Sequence, residues 1–215
     1  MHMIDQAKFE YIKKKYGHYA SWAIWAEEGK KTKDNIGDLS VLDINSNDTL
    51  LHQLNPNIIL VGLNISRRIE VPLANFHDAK PQAMDYKIRY ALKGSPLWGA
   101  YMTDIIKNFE QKASGKMMNY LRTDMQFEAD NIKTFRAEIN DLGIKNPTVV
   151  AFGRDAHMIL NRNFKSEFKI FKIPHYSNYT RKEKYREEVE SFLVFNKTTL
   201  TSHSSGLQGK APCNR

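Results

Sequence analysis

Four short apolar runs, separated by segments with helical periodicity, constrain the fold of this 215-residue chain more than any other feature. Each run has the length and the apolar character of a buried strand in a parallel sheet. The runs are Ile58 to Leu63, Ala100 to Ile106, Thr148 to Phe152 and Phe168 to Ile173. Alternation of strand and helix favours right-handed crossovers with helices on both faces of the sheet. We therefore predict an α/β protein, a three-layer α/β/α sandwich with a central, mostly parallel four-stranded sheet.

Spacing of apolar residues places helices around these strands. The predicted helices cover residues 5–16, 84–93, 127–142 and 154–160, and a last helix opens at Thr180. Asp5 suits an N-cap, and Gly94 and Gly143 suit helix C-termini. Thr180-Arg181-Lys182-Glu183 has the pattern of a capping box at the start of the last helix.

The remaining segments carry weaker signals. The aromatic stretch from Tyr16 to Trp25 is either an N-terminal arm packed on the core, which we favour, or a binding surface. Residues 30–48 are polar and predict a loop with short elements. Because no Pro/Gly/Ser-rich linker divides the chain, we expect residues 1–195 to form a single domain. Residues 196–215 have few apolar residues and predict a flexible tail or a remnant of an expression vector.

Charge and cysteine content narrow the classes of function. Lys and Arg outnumber Asp and Glu by 32 to 24, which favours a nucleic-acid partner, although an unspecialised basic surface gives the same surplus. The single cysteine, Cys213, excludes an intramolecular disulfide framework and a four-cysteine iron–sulfur cluster, and favours the cytoplasm. No apolar run approaches the ~20 residues of a membrane helix, and the N-terminus lacks a secretory pattern, so we expect no membrane association.

Polar residues follow the predicted strands, where a parallel sheet binds its ligands. They are Gly62, Asn64 and Ser66 after the first strand, Thr103 and Asp104 in the second, Gly153 to Asp155 after the third, and Pro174 to Tyr179 after the fourth. A loop leaving the first strand adds Pro72, Asn75, Phe76 and His77. A lone histidine after a strand is more often a plain surface or hydrogen-bonding residue, but the convergence of four strand ends predicts a site.

Several common site chemistries lack their residue patterns. The segment from Gly62 to Ser66 has neither the Gly-Lys-Ser/Thr of a P-loop nor the spaced glycines of a dinucleotide fingerprint. The seven histidines show no zinc-ligand spacing, and there is no Gly-x-Ser-x-Gly elbow. We therefore expect no metal, no cofactor and no seryl nucleophile.

Two motifs at this edge resemble the uracil-DNA glycosylase superfamily. Its members carry Gly-x-Asp-Pro or Gly-x-Asn-Pro after the first strand and His-Pro-Ser near the C-terminus. Here the motifs read Gly62-Leu63-Asn64-Ile65-Ser66 and His175-Tyr176-Ser177. The run from Val149 to His157 is similar to the third strand and following helix of the family, and the resemblance spans residues 56–194. Both motif prolines are replaced, by Ile65 and Tyr176, which relaxes two loops.

The resemblance implies hydrolysis of the N-glycosidic bond of an extruded base in DNA by a monomeric enzyme. Asn64 would hold the attacking water near the sugar C1′, and His175 would donate a hydrogen bond to the base O2. Phe76, 12 residues after Asn64, would stack on the base. The other substrate-binding residues it implies are Gly62, Leu63 and Asp104, with Ser66 and Ser177 on flanking phosphates and Tyr179 in the gap left by the base.

Asp104 stands where the family carries an asparagine that reads the base edge. Asparagine offers an acceptor and a donor, which match N3–H and O4 of uracil. An ionised aspartate only accepts, so it suits a base with an exocyclic amine, such as cytosine or a modified cytosine, unless it is itself protonated. The alternative is that Asp104 caps a helix or lies out of register with the family asparagine.

Three functions are compatible with these features. A DNA glycosylase acting on a pyrimidine or modified base accounts for the order and spacing of the motifs. A non-catalytic nucleic-acid-binding relative accounts for the lost prolines and for Asp104. A different small-molecule enzyme on a similar scaffold is the third, because fold does not fix function.

Overall fold

A computed structural model describes residues 4–107 and 109–196, whose strands form one mixed sheet. The strands are β1 (Ala20–Trp22), β2 (Asn55–Asn64), β3 (Ala100–Ile106), β4 (Thr148–Phe152) and β5 (Lys169–Ile173). Their order is β1-β3-β2-β4-β5; β2 to β5 are parallel, and β1 is antiparallel to β3. The predicted α/β class is confirmed, but the sheet has five strands rather than four.

The additional strand lies in the aromatic stretch near the N-terminus. Ala20 pairs with Thr103 and Trp22 with Tyr101, on the free edge of β3. The Trp22 ring packs edge-on against Tyr101, with ring centroids 5.0 Å apart. The predicted packing of this stretch on the core is therefore confirmed. A strand of three residues, all buried, is too short to show the alternation that identifies strands in a sequence.

The described part of the chain forms seven α-helices that cover both faces of the sheet. They are α1 (Gln6–Tyr16), α2 (Leu50–Gln53), α3 (Asp85–Leu92), α4 (Ser114–Thr123), α5 (Met125–Leu142), α6 (Arg154–Phe164) and α7 (Lys182–Phe195). Helices α1, α5 and α6 pack with Ile59 and Val61 of β2, whereas α3 and α7 pack with Ile58 and Leu60 on the other face. No helix among these residues is long and apolar enough to cross a membrane.

The helix ends test the predicted caps. The Asp5 carboxylate accepts a hydrogen bond from the Lys8 backbone N–H at 2.8 Å, and Gly143 ends α5 with φ of 78°. The predicted capping box is wrong. Arg181 is the N-cap of α7, so Thr180 lies one residue too early, and its buried hydroxyl has no partner in the described chain. Helix α4 was not predicted; the predicted tail lies, from residue 197 onward, outside the described residues.

The topology creates a crevice at the carboxyl ends of β2 and β4. From β2 the chain runs towards α3 on one face of the sheet, and from β4 it enters α6 on the other. Loops that diverge from neighbouring parallel strands leave a cleft between them, which is where such sheets bind ligands. The polar residues singled out from the sequence lie at this end of the sheet.

Candidate functional site

The carboxyl end of the sheet brings Asp104, Phe76 and Tyr176 around a glycine of β2. Gly62 pairs with Asp104 across the β2–β3 ladder. A Cβ built on Gly62 would collide with the Asp104 carboxylate and would lie 3.4 Å from the Phe76 ring. Glycine at this position therefore lets the Asp104 side chain lie across β2, towards the crevice.

Asp104 is held by an asparagine from the loop that follows β2. Its Oδ2 accepts a 2.7 Å hydrogen bond from Asn75 Nδ2, which also donates to the Tyr19 carbonyl at 2.9 Å. Asn75 Oδ1 accepts from the Phe76 backbone N–H at 3.1 Å, so every polar atom of that amide has a partner. Asp104 lies inside β3, and the alternative that it caps a helix is wrong.

The buried position of Asp104 changes its acidity. Its side chain is only 3% exposed, and burial raises the pKa to about 7, against the opposing effects of the Asn75 hydrogen bond and the Lys107 charge. The charges of Glu138 and Asp85 raise the pKa further. Oδ1 has no hydrogen-bond partner among the described residues. This oxygen therefore offers an acceptor when Asp104 is ionised and a donor when it carries the proton.

A buried ion pair lies behind Asp104 on the opposite face of the sheet. Lys107 Nζ is 2.7 Å from Glu138 Oε2 and donates to Thr103 Oγ1 at 2.5 Å. The Tyr101 hydroxyl donates to Glu138 Oε1 at 2.6 Å. This pair was not predicted from the sequence, although Glu138 lies on the apolar face of α5 with Phe135, where a carboxylate indicates a buried partner.

Asn64, at the end of β2, uses its amide nitrogen to bind backbone carbonyls of the neighbouring segments. Its Nδ2 donates to the backbone carbonyls of Ile65 and Gln111, each at 2.8 Å, and of Phe109 at 3.1 Å. These three acceptors fix which end of the amide is nitrogen. Oδ1 has no partner within residues 4–107 and 109–196, so Asn64 offers a water molecule an acceptor but no strong base.

His175 is a neutral hydrogen-bond donor in this arrangement. Its Nδ1 accepts from the Ser177 backbone N–H at 3.2 Å, and the Ser177 hydroxyl lies 2.8 Å from the same nitrogen. Burial lowers the pKa of His175 to about 4, although the Asp155 charge raises it. A backbone N–H can only donate, so Nδ1 carries the lone pair and Nε2 carries the proton. Gly153 allows this placement, because a Cβ there would lie 3.1 Å from His175 Cβ.

Phe76, predicted to stack on a base, is covered. It is 4% exposed, and its ring lies 6.0 Å from Phe152 and 6.5 Å from Tyr176 between centroids. Its backbone has φ of 62°, which is rare for a bulky residue. The Trp25 indole N–H holds the strained segment by donating to the Phe76 carbonyl at 3.1 Å. Such strain is found mainly at functional sites, at about 1–3 kcal/mol per residue.

The other predicted substrate-binding residues fall into two groups. Ser66 and Tyr179 are exposed on the loops after β2 and β5. Leu63 packs into the core on the α1, α5 and α6 face, so only its backbone is available to a ligand. The Ser177 hydroxyl lies within hydrogen-bond distance of His175 Nδ1. It is therefore engaged by the imidazole and is not free for a phosphate.

Helix α3 carries buried charged residues that no sequence pattern singled out, Asp85 and Lys87 among them. Asp85 Oδ2 accepts from the Asp78 backbone N–H at 2.7 Å, and burial raises the pKa of Asp85 to about 6. Lys87 is 3% exposed, and its Nζ donates to the Asn178 carbonyl at 2.8 Å in the loop that carries His175. Burial lowers the pKa of Lys87. No cluster of metal-ligating side chains occurs in the part of the chain that the structure describes.

Comparison of the chain with protein-family models, with curated proteins and with solved structures gives no match.

Proposed function

We propose that this protein is a DNA glycosylase-like enzyme that hydrolyses the N-glycosidic bond of an extruded pyrimidine or modified base. The observation that supports this most is the state of His175, a neutral imidazole whose Nδ1 is occupied and whose Nε2–H is the remaining donor. Asn64 Oδ1 and Asp104 Oδ1, at the same edge of the sheet, are two further groups without a hydrogen-bond partner among the described residues.

The reaction would break the bond between C1′ and the base nitrogen, with the electron pair leaving on the base. Negative charge then develops at the base O2, where the His175 Nε2–H would stabilise it. The oxygen of a water molecule held by Asn64 Oδ1 would add to C1′ and lose its proton to solvent or to the departing base. Asparagine is not a strong base, so bond breaking would run ahead of water attack.

Asp104 would select the base through its protonation state. Ionised Oδ1 accepts a hydrogen bond from an exocyclic amine, as in cytosine or a modified cytosine. Protonated Oδ1 donates to a carbonyl, as at O4 of uracil. With a pKa of about 7, both forms are populated near neutral pH, and a 4-amino pyrimidine would be favoured at higher pH.

DNA as the partner is supported by charge and by chemistry. Lys197, Lys210 and Arg215 lie outside the described residues, so the described part carries 29 Lys and Arg against 24 Asp and Glu. A base stacked in a duplex cannot reach a recessed edge of a sheet, so the enzyme would extrude it or act on single strands. Binding should weaken with salt, with a slope of about 0.7 to 0.9 per phosphate contacted.

Base release from defined oligonucleotides tests the proposal. The panel carries uracil, cytosine, modified cytosines, hypoxanthine and xanthine, and is incubated with the protein, with His175→Ala and with His157→Ala. His157 lies on α6, and its variant is the matched control for loss of an imidazole. We expect release of at least one base, abolished in His175→Ala and kept in His157→Ala.

The alternative is a non-catalytic nucleic-acid-binding relative, which the covered Phe76 ring and the two missing motif prolines favour. No release from any oligonucleotide, together with salt-dependent DNA binding, would establish this alternative. Absence of salt-dependent DNA binding would instead favour a small-molecule enzyme.

A further inference from the structure

Tyr176 packs with Phe152 against the ring of Phe76. Its ring lies edge-on to Phe152, with centroids 5.4 Å apart, and edge-on to Phe76 at 6.5 Å. The His175 imidazole stacks on the Tyr176 ring, with centroids 4.5 Å apart. Tyr176 therefore fills the space between the proposed stacking residue and the proposed hydrogen-bond donor.

The hydroxyl of Tyr176 is protonated near neutral pH. Burial raises the pKa of Tyr176 well above its usual value, and the charges of Asp85 and Asp104 raise it further. The Tyr176 ring makes with Phe76 the kind of aromatic contact that an extruded base would make in the proposed site.

We propose that Tyr176 is an internal occupant of the base site and that the loop of residues 174–181 must move to admit a base. This inference rests on the proposed function. The closed loop would prevent non-specific entry of bases, and DNA binding would supply the free energy that displaces Tyr176. The loop follows directly from β5, whose last residue accepts a hydrogen bond from Gly153 N–H at 2.8 Å, so the strand stays fixed while the loop moves.

Lys87 holds the loop of residues 174–181 in its closed position through one hydrogen bond. Its Nζ donates to the Asn178 carbonyl, and it forms no salt bridge with a carboxylate of the described chain. A buried ammonium with a single carbonyl partner is a weakly stabilised arrangement. Besides the packing of His175 on Gly153, the Lys87 hydrogen bond and the Tyr176 ring contacts hold the loop in the described chain, and both can be removed by substitution.

The test compares the affinity for a base with the affinity for the same DNA without it. Fluorescein-labelled single strands carry at one central position either a tetrahydrofuran abasic site or a 2′-fluorinated nucleotide that resists base release. The bases are cytosine, 5-methylcytosine, uracil and hypoxanthine. Anisotropy titrations give the ratio of the abasic Kd to the base-containing Kd, which isolates base engagement from backbone binding.

Loss of the occupant should raise that ratio. We expect an increase of about tenfold for at least one base in Tyr176→Ala, since two aromatic contacts that compete with the base are removed. Tyr176→Phe keeps the ring and should stay within about twofold of wild type. Lys87→Met removes the hydrogen bond to the Asn178 carbonyl and leaves the aromatic residues unchanged. It should also raise the ratio, and it tests the proposal even if Tyr176→Ala does not fold.

The outcomes separate the two proposals. If all variants bind DNA and neither Tyr176→Ala nor Lys87→Met raises the Kd ratio for any base, Tyr176 does not occupy the base site. The proposed function would then still stand. Failure of the folded wild type and variants to bind any of the strands would overturn both.

Discussion

Replacing Asp104 by asparagine should change how the stability of the protein depends on pH. The carboxyl is buried, and its pKa of about 7 in the folded state exceeds its ordinary value of 3.8. The folded state therefore binds this proton more tightly than the unfolded state, and stability is lost as pH rises between these two values. Asparagine keeps the shape and an acceptor for Asn75 but has no proton to lose.

The magnitude follows from the two pKa values. Ionisation of Asp104 lowers the free energy of unfolding by almost nothing at pH 3, by about 1.7 kcal/mol at pH 5 and by about 4 kcal/mol at pH 8. These values use about 1.4 kcal/mol per pKa unit. Relative to wild type, Asp104→Asn should therefore gain about 2.5 kcal/mol between pH 5 and pH 8.

Urea unfolding at pH 5, 6.5 and 8, followed by tryptophan fluorescence, measures this difference if the m-value is unchanged. Asp48→Asn, at an exposed loop position, is the matched control and should follow the wild-type curve. Parallel pH dependences for wild type and Asp104→Asn would refute a carboxyl that titrates near neutrality.

Three further substitutions and one pH profile test the surrounding geometry. Gly62→Ala places a Cβ on the Asp104 carboxylate, so urea unfolding should show a loss of about 1–3 kcal/mol as the Asn75 hydrogen bond breaks. Gly153→Ala, at φ of 84°, should cost about 1–3 kcal/mol and shift the NMR resonances of the His175 ring; unchanged resonances would contradict the close approach. Glu138→Ala leaves a buried lysine unpaired and should destabilise by about 3–5 kcal/mol, whereas a loss below 1 kcal/mol in calorimetry would refute that role. If bases are released, the ratio of cytosine to uracil release should rise through about pH 7 in wild type and stay flat in Asp104→Asn.

The sequence by itself determined the parts of the fold that local pattern encodes. The runs over Ala100–Ile106 and Thr148–Phe152 are the observed strands, because a buried parallel strand is apolar along its whole length. Asp5 and Gly143 mark helix ends because a cap is satisfied within a few residues of the chain. The edge of the sheet that gathers polar residues was also predictable, since parallel strands end together.

Tertiary structure alone decided what those polar residues contact. Strand β1 exists because β3 has a free edge, and a three-residue strand carries no periodic signal of its own. The Asn75 bond to Asp104 depends on a loop that places Phe76 in a left-handed conformation, which no local pattern predicted. Tyr176 stands out in the sequence chiefly because it replaces a motif proline, yet its ring packs against Phe76. Hydrophobic periodicity records which face of an element is buried. The partner of a buried polar group is set by which distant segments meet, and that depends on the whole packed chain.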